Sequence, residues 1–324
     1  MVLRNDHEIW ITLGTFDQIL RFDTDNKEWK KYTAINDGKI SVDYLIVSPD
    51  QTLWGTQENF KNKAGDSWLS KYNDKTKEFE FVKDQKGLLA YGEYTPDRFP
   101  PSVVFDQTGI LWTIAQQQTR FTPPLQWDVS LISLDPISLI AEKHYLGITE
   151  PAVQLRALAV APDGSIWTVQ SYKQQRLLQY VPKTNEVRSF RSFPELHFED
   201  FGNENLGNSN FLFFDQSNHL WVDDRGWFEF TDIGPIWNQI IRSPVFITDQ
   251  GSDDSIYTWS RPFTMYQSTD GTYWFQSSRG MVRLNPQNAE WCLFTNDRSP
   301  IVEDSQHNLW MVAFGKLYKY HLEP

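Results

Sequence analysis

Seven tryptophans in one repeated local context, with short strand-like runs on either side of each, predict an all-β chain. The predicted architecture is a seven-bladed β-propeller of four-stranded antiparallel blades. The markers are Trp10, Trp54, Trp112, Trp167, Trp221, Trp274 and Trp310. The residue before each is Ile9, Leu53, Leu111, Ile166, Leu220, Tyr273 and Leu309, and three before each stands a turn-tolerant residue: His7, Gln51, Gly109, Gly164, Asn218, Gly271 and His307. An aspartate opens the turn, four residues ahead (Asp6, Asp50, Asp163, Asp270) or six ahead (Asp106, Asp215, Asp304). The spacings of 44, 58, 55, 54, 53 and 36 residues are those of propeller blades.

Each unit reads in the same order. An apolar run precedes the turn, as in Tyr44-Leu45-Ile46-Val47 or Phe211-Leu212-Phe213-Phe214. The tryptophan strand follows, as in Leu111-Trp112-Thr113-Ile114. A third strand comes next, as in Leu177-Leu178-Gln179-Tyr180 or Met281-Val282-Arg283-Leu284, then a polar turn and an outer strand such as Trp29-Lys30-Lys31-Tyr32. Short runs rich in β-branched and aromatic residues between Asp, Gly, Asn and Pro turns are the signature of sheet. No stretch carries a sustained helical period with caps. The first unit is expected to keep only Met1-Val2-Leu3 as a remnant of its innermost strand, and the last to stop after its third strand. The reading is one propeller domain over residues 1–324.

The composition excludes several classes. With 40% hydrophobic and 15% aromatic residues the chain can fill a core, so wholesale disorder is excluded. A net charge of -12 argues against a general nucleic-acid binder, which needs a basic face. The single Cys292 rules out an internal disulfide and any CxxC metal knuckle. No run of 18 apolar residues exists, so no membrane-spanning helix is expected. The amino terminus lacks the apolar stretch of a signal peptide, which reads as cytoplasmic; a processed or excised extracytoplasmic domain would look the same.

The unit from Thr269-Asp270-Gly271-Thr272-Tyr273-Trp274-Phe275 through Arg279-Gly280-Met281-Val282-Arg283-Leu284-Asn285-Pro286 to Trp291 resembles the two-component regulator propeller repeat. Asp163-Gly164-Ser165-Ile166-Trp167 is similar to it, as is Asn308-Leu309-Trp310 with Lys316-Leu317-Tyr318-Lys319-Tyr320. The resemblance covers essentially the whole chain, with units 2, 3 and 5 diverged. It implies a bacterial sensor-type module. Streptogramin lyases, which are seven-bladed metal-dependent enzymes, have a similar repeat. They would require a His/Glu pair on the channel face, and none matches here residue by residue.

The repeated residues read as scaffold. One tryptophan per blade packs between blades with its N–H satisfied locally, and the aspartates accept backbone N–H bonds in the turn. His7, His219 and His307 share equivalent turns, so turn roles suit them better than metal ligation. His197 stands among Glu195, Glu199 and Asp200 without a second histidine beside it. No HExxH, GxSxG, P-loop or GxGxxG sequence occurs, and no metal or cofactor is implied.

Function is read from where the repeat is irregular. The turns joining first to second and third to fourth strands are short. The long connections, 57–67, 84–101, 116–127, 193–209 and 238–262, all belong to the opposite face. Loops of this length on a rigid scaffold concentrate binding residues. The candidates there are Arg120, Trp127, Tyr172, Arg176, Arg225, Trp237, Trp259 and Arg279. Aromatics with arginines suit recognition of a protein, peptide or glycan. The sequence thus favours a non-catalytic ligand- or protein-binding module. The alternative is a metal-dependent lyase or hydrolase at the channel mouth, with Glu199, Asp200, Asp223 or Asp224 as acid/base groups or ligands. Of the 14 tryptophans, only Trp127, Trp237 and Trp259 are assigned to irregular loops.

Overall fold

A computed structural model describes residues 1–13, 18–33, 42, 44–56, 67–89, 103–120, 126–148, 154–171, 176–191, 211–222, 226–231, 234–239, 262–277, 280–295 and 300–322. The fold is all-β, with seven antiparallel sheets that are the blades of a β-propeller. The chain packs as two compact units, residues 1–191 and 192–324.

Unit 1 holds four blades of four strands each. Blade 1 is β1 (Val2–Arg4), β2 (Glu8–Leu13), β3 (Gln18–Asp23) and β4 (Glu28–Thr33). Blade 2 is β5 (Tyr44–Val47), β6 (Leu53–Thr56), β7 (Leu69–Asn73) and β8 (Glu78–Phe81). Blade 3 is β9 (Val103–Phe105), β10 (Leu111–Arg120), β11 (Gln126–Asp135) and β12 (Ile140–Tyr145). Blade 4 is β13 (Gln154–Val160), β14 (Ile166–Ser171), β15 (Arg176–Val181) and β16 (Glu186–Arg191).

Unit 2 holds three blades. Blade 5 is β17 (Leu212–Phe214), β18 (Leu220–Val222), β19 (Gly226–Thr231) and β20 (Gly234–Gln239). Blade 6 is β21 (Pro262–Gln267), β22 (Tyr273–Ser277), β23 (Gly280–Asn285) and β24 (Glu290–Thr295). Blade 7 has three strands, β25 (Ile301–Glu303), β26 (Asn308–Ala313) and β27 (Lys316–His321). The short last blade is as expected. The first blade is not reduced: β1 pairs Val2 to Trp10 through Arg4 to Glu8 and is as long as β9, β17 and β25.

The marker tryptophans lie on the second strands and are all buried, between 0% and 8% exposed. Trp10, Trp54 and Trp112 in unit 1, and Trp221 and Trp274 in unit 2, fill apolar clusters between successive blades. Trp10 of blade 1 packs edge-on against Tyr72 of blade 2 at 4.8 Å, within a cluster that includes Phe79. Trp112 of blade 3 meets Tyr180 of blade 4 at 5.8 Å, and in unit 2 Trp221 meets Tyr273 at 4.5 Å. Burying an indole removes roughly 150–250 Å² from water, worth about 4–6 kcal/mol. Leaving its N–H unpaired would return about 1–3 kcal/mol of that gain.

Each blade solves the N–H problem in the turn before the tryptophan. Where the aspartate stands six residues ahead, its carboxylate accepts the indole N–H directly: Trp112 to Asp106 at 2.9 Å, Trp221 to Asp215 at 2.8 Å and Trp310 to Asp304 at 2.8 Å. In blades 2, 4 and 6, where the aspartate stands four ahead, it binds a serine hydroxyl that takes the indole instead. Trp54 donates to Ser48, Trp167 to Ser165 and Trp274 to Ser268. Ser48, Ser165 and Ser268 are in turn bonded to Asp50, Asp163 and Asp270. In blade 1 the acceptor is Glu8, at 3.2 Å from Trp10.

The same carboxylates cap the turn backbone. Asp215 accepts from the N–H groups of Ser217 and His219, and Asp304 from those of Gln306 and Asn308. Gln51, Asn218 and His307 take left-handed φ values of 66°, 64° and 61°, where Gly109, Gly164 and Gly271 stand in other blades. In blade 1 the left-handed residues are Asn5 and Asp6 rather than His7.

Asp215→Ala should therefore orphan the Trp221 indole, two turn N–H groups and the Tyr273 hydroxyl that also donates to it. The expected loss is about 2–4 kcal/mol by urea denaturation. Asp25→Ala, in an exposed turn, is the control and should change stability by less than about 0.5 kcal/mol.

Candidate functional site

The two ends of the blades differ. At the short-turn end the aspartates are consumed by their own turns. Burial pushes the Asp215 carboxyl up, but bonds from Trp221, the His219 N–H and Tyr273 outweigh it and hold it below the usual aspartate range. Asp304 is held down in the same way, its burial outweighed by Trp310 and the Asn308 N–H.

At the opposite end the long connections begin. Blade 3 is distinctive there, because its second and third strands overrun the sheet. β9 pairs with β10 only over Leu111 to Thr113, and β12 pairs with β11 only over Ser130 to Asp135. Beyond those limits β10 and β11 pair only with each other, from Gln116 opposite Val129 to Arg120 opposite Gln126, with a bulge between Gln118 and Arg120. Over residues 116–120 and 126–127, where an irregular loop was expected, the described residues thus form a two-stranded ribbon. At its root Lys143 of β12 pairs with Asp128 at 2.7 Å.

The candidate residues fall out as follows. Arg120 and Trp127 lie on this ribbon, Trp127 opposite Gln118. Trp237 is not in a loop: it lies on β20, opposite Phe228. Arg176 begins β15, half-buried and opposite Gln170 and Arg191. Tyr172, Arg225, Trp259 and Arg279 lie outside the described residues, as do Glu199, Asp200, Asp223 and Asp224. So do residues 57–66, 90–101, 193–209 and 240–261 of the long connections. The segment 84–101 opens with a tight turn, in which the Asp84 carboxylate accepts from the N–H groups of Lys86, Leu88 and Leu89. Among the described residues no three His, Cys, Asp or Glu side chains are grouped to hold a metal ion, and no helix is long and apolar enough to cross a membrane.

A second feature was not anticipated. At the short-turn end of blades 3 and 4 a cleft of about 880 Å³ opens between their turns. Its origin is visible once the blades are put in register. Opposite the marker tryptophan, the third strand carries Arg21, Lys71, Gln179, Trp227, Arg283 or Lys319 in six blades, and Ser133 in blade 3. Lys71 and Lys319 lie over their tryptophan rings at 5.3 and 5.4 Å. The short Ser133 side chain leaves that space open.

The outer strand of blade 3 departs too. In blades 1, 4 and 6 an aromatic covers the marker: Tyr32 on Trp10, Phe190 on Trp167 and Phe294 on Trp274, at 5.1 to 5.4 Å. In blade 3 the equivalent residue is His144, 5.0 Å from Trp112. Its Nε2 lies 2.7 Å from Ser133 Oγ and its Nδ1 2.8 Å from the Tyr180 hydroxyl of blade 4. Tyr180 donates its proton to Asn185 Oδ1 at 2.7 Å. It must therefore accept from Nδ1–H, which leaves the Nε2 lone pair to accept from Ser133. Burial lowers the His144 pKa, and the neighbouring charge of Glu142 only partly opposes this. Sequence patterning could have found His144 only by aligning outer strands, where one imidazole stands among phenyl and phenol rings.

No family model matches the chain, and no curated protein matches it. Solved structures share its fold. The extracellular domain of a protein assigned as a hybrid two-component system of B. thetaiotaomicron is 15% identical over 97% of this chain and 40% of that one, with a TM-score of 0.57. PorZ, a surface component of the type-IX secretion system of Porphyromonas gingivalis, is 13% identical over 94% and 42%, with a TM-score of 0.54. A protein of Bacteroides fragilis assigned as a 6-phosphogluconolactonase is 11% identical over 98% and 95%, with a TM-score of 0.56. The chain spans about two fifths of the length of the extracellular domains it matches. At these identities the likeness is one of fold.

A neutral, half-buried His144 should titrate with a midpoint below the 6.5 of a free imidazole, followed by its ring resonances in NMR. The unfolded chain then binds more protons than the folded one between that midpoint and pH 6.5. The stability it contributes is fully present above pH 6.5 and is lost as pH falls through the folded midpoint. A midpoint at or above 6.5 would contradict the neutral hydrogen-bonded assignment.

Proposed function

We propose that the long-connection end of the blades, in one propeller domain over residues 1–324, is a non-catalytic binding face that recognises a protein, peptide or glycan. The observation that supports this most directly is the β10–β11 ribbon. The described part of this ribbon continues past the pairing of β9 and β12, and two strands alone are marginally stable in water. A ribbon bearing Arg120 and Trp127 is costly as scaffold and well suited as a contact. Tyr172 and Arg176 of blade 4 extend the same reading in unit 1. In unit 2 the corresponding candidates are Arg225, Trp237, Trp259 and Arg279. Planar arginine forks and amphipathic aromatic rings are the groups that anchor recognition surfaces.

The matched extracellular domain of a two-component system and the secretion-system surface component support a sensing or surface role outside the cytoplasm over the cytoplasmic reading. The likeness to a lactonase-type protein keeps the metal-dependent enzyme as the competing reading.

A thermal-shift panel of glycans, peptides and divalent metals separates the two. Binding predicts that a glycan or peptide raises the melting temperature, and that Arg120→Ala with Trp127→Ala abolishes the rise while leaving the unliganded melting temperature within about 2 °C. Stabilisation by a divalent metal alone, accompanied by turnover of a lactone, would replace binding with catalysis.

A further inference from the structure

Among the described residues the Ser133–His144–Tyr180 chain has no counterpart in the other blades, and its Ser133 and His144 line the cleft. We propose that this cleft between blades 3 and 4 is an acyl-transfer site, with Ser133 as nucleophile and His144 as its general base. It stands at the opposite end of the blades from the β10–β11 ribbon and does not depend on the binding reading.

The geometry meets the requirements for an activated hydroxyl. A nucleophile and base must lie within hydrogen-bond reach, and a third group must orient the base. Ser133 Oγ is 2.7 Å from His144 Nε2, and Tyr180 holds Nδ1 at 2.8 Å in the tautomer that leaves Nε2 basic. Tyr180 is itself only 3% exposed and is fixed by Asn185. A tilted contact with Trp112, 5.0 Å between ring centres, packs one side of the imidazole. A purely structural cover for Trp112 would need no such chain, since phenyl rings do that work in blades 4 and 6. Nor would it need a serine where other blades place a long side chain. Blade 3 changes at both positions together, and the joint result is a hydroxyl–imidazole pair in a cleft of ligand size.

The step balances with water as the only co-reactant. The Ser133 oxygen adds to an ester carbonyl as its proton passes to His144 Nε2. The carbonyl–alkoxide bond then breaks, and the alcohol leaves with that proton. Water adds to the acyl-serine, gives its proton to His144, and the acid is released as Ser133 recovers its hydrogen. Lys183 is the cation among the cleft's lining residues and supplies positive charge for the developing oxyanion. The lining also carries Asp106, Asp135, Glu142 and Asp163, so an anionic acyl group is repelled. Apolar surface comes from Ile110 and Ile140. The substrate class is therefore a small uncharged or cationic carboxylic ester.

The test is active-site labelling of the whole chain with a fluorophosphonate, read by intact mass and peptide mapping, with p-nitrophenyl acetate as the turnover probe. The proposal expects one adduct on Ser133, none in Ser133→Ala, and a labelling rate lowered about 10²–10⁴-fold in His144→Phe. Phenylalanine is the residue that blades 4 and 6 carry there, so the fold should be retained. Ser133→Arg, which restores the side chain of blades 1 and 6, should close the cleft and abolish both labelling and turnover. The wild-type labelling rate should rise with pH through the His144 midpoint measured by NMR. The charges around that group are Glu142 on its own strand, Asp106 behind Trp112, and Asp135, Asp163 and Lys183 in the cleft. Absence of an adduct on the wild type, an adduct on another residue, or undiminished labelling of His144→Phe would overturn the proposal.

Discussion

A buried indole must give its N–H to something, and the rest of this molecule follows from that constraint. The ring is the largest apolar unit available to fill the space between two twisted sheets, but it brings a polar atom with it. The chain places an acceptor in the turn immediately before each marker tryptophan, so one short segment supplies both the wedge and its partner. Because the acceptor also caps the turn backbone, the turn, the strand register and the inter-blade packing are fixed together. Removing the acceptor loosens all three.

This coupling explains why the fold was legible in the sequence. A repeat that must reproduce wedge, acceptor and left-handed turn residue leaves a spaced signature even where the blades have otherwise diverged. The two aspartate offsets, which look like noise in the sequence, are two routes to one bond. At six residues the carboxylate reaches the indole itself, as in Asp106. At four it acts through a hydroxyl, as with Asp50 and Ser48 or Asp163 and Ser165.

What was not legible lacks periodic constraint. The segment Gln116-Gln117-Gln118-Thr119-Arg120 reads as loop because no apolar residue alternates along it. With that alternation absent, strand and loop look alike in sequence. Trp237 was displaced for a related reason: β20 is an outer strand, and Gly234-Pro235-Ile236-Trp237-Asn238-Gln239 carries no alternation of apolar and polar residues. The Ser133–His144 pair was invisible because it exists only across a strand register, ten residues apart in sequence and adjacent in space. A blade-by-blade alignment would have exposed His144 as the odd member of an aromatic column.

Two ends of one scaffold thus carry different chemistry. The short-turn end is self-satisfied except where blade 3 opens it, and the other end holds the variable connections. Both depend on marker indoles that are fixed in place. The direct measurement of that dependence is hydrogen exchange at the indole Nε1–H of all 14 tryptophans, resolved by ¹⁵N-labelled NMR. The account predicts that the seven markers form the slowest group, and that Trp29, which is 50% exposed, exchanges at the rate of a free indole. Marker indoles exchanging as fast as Trp29 would contradict it, because the bond from which the turn, the register and the packing are argued would then be open in solution.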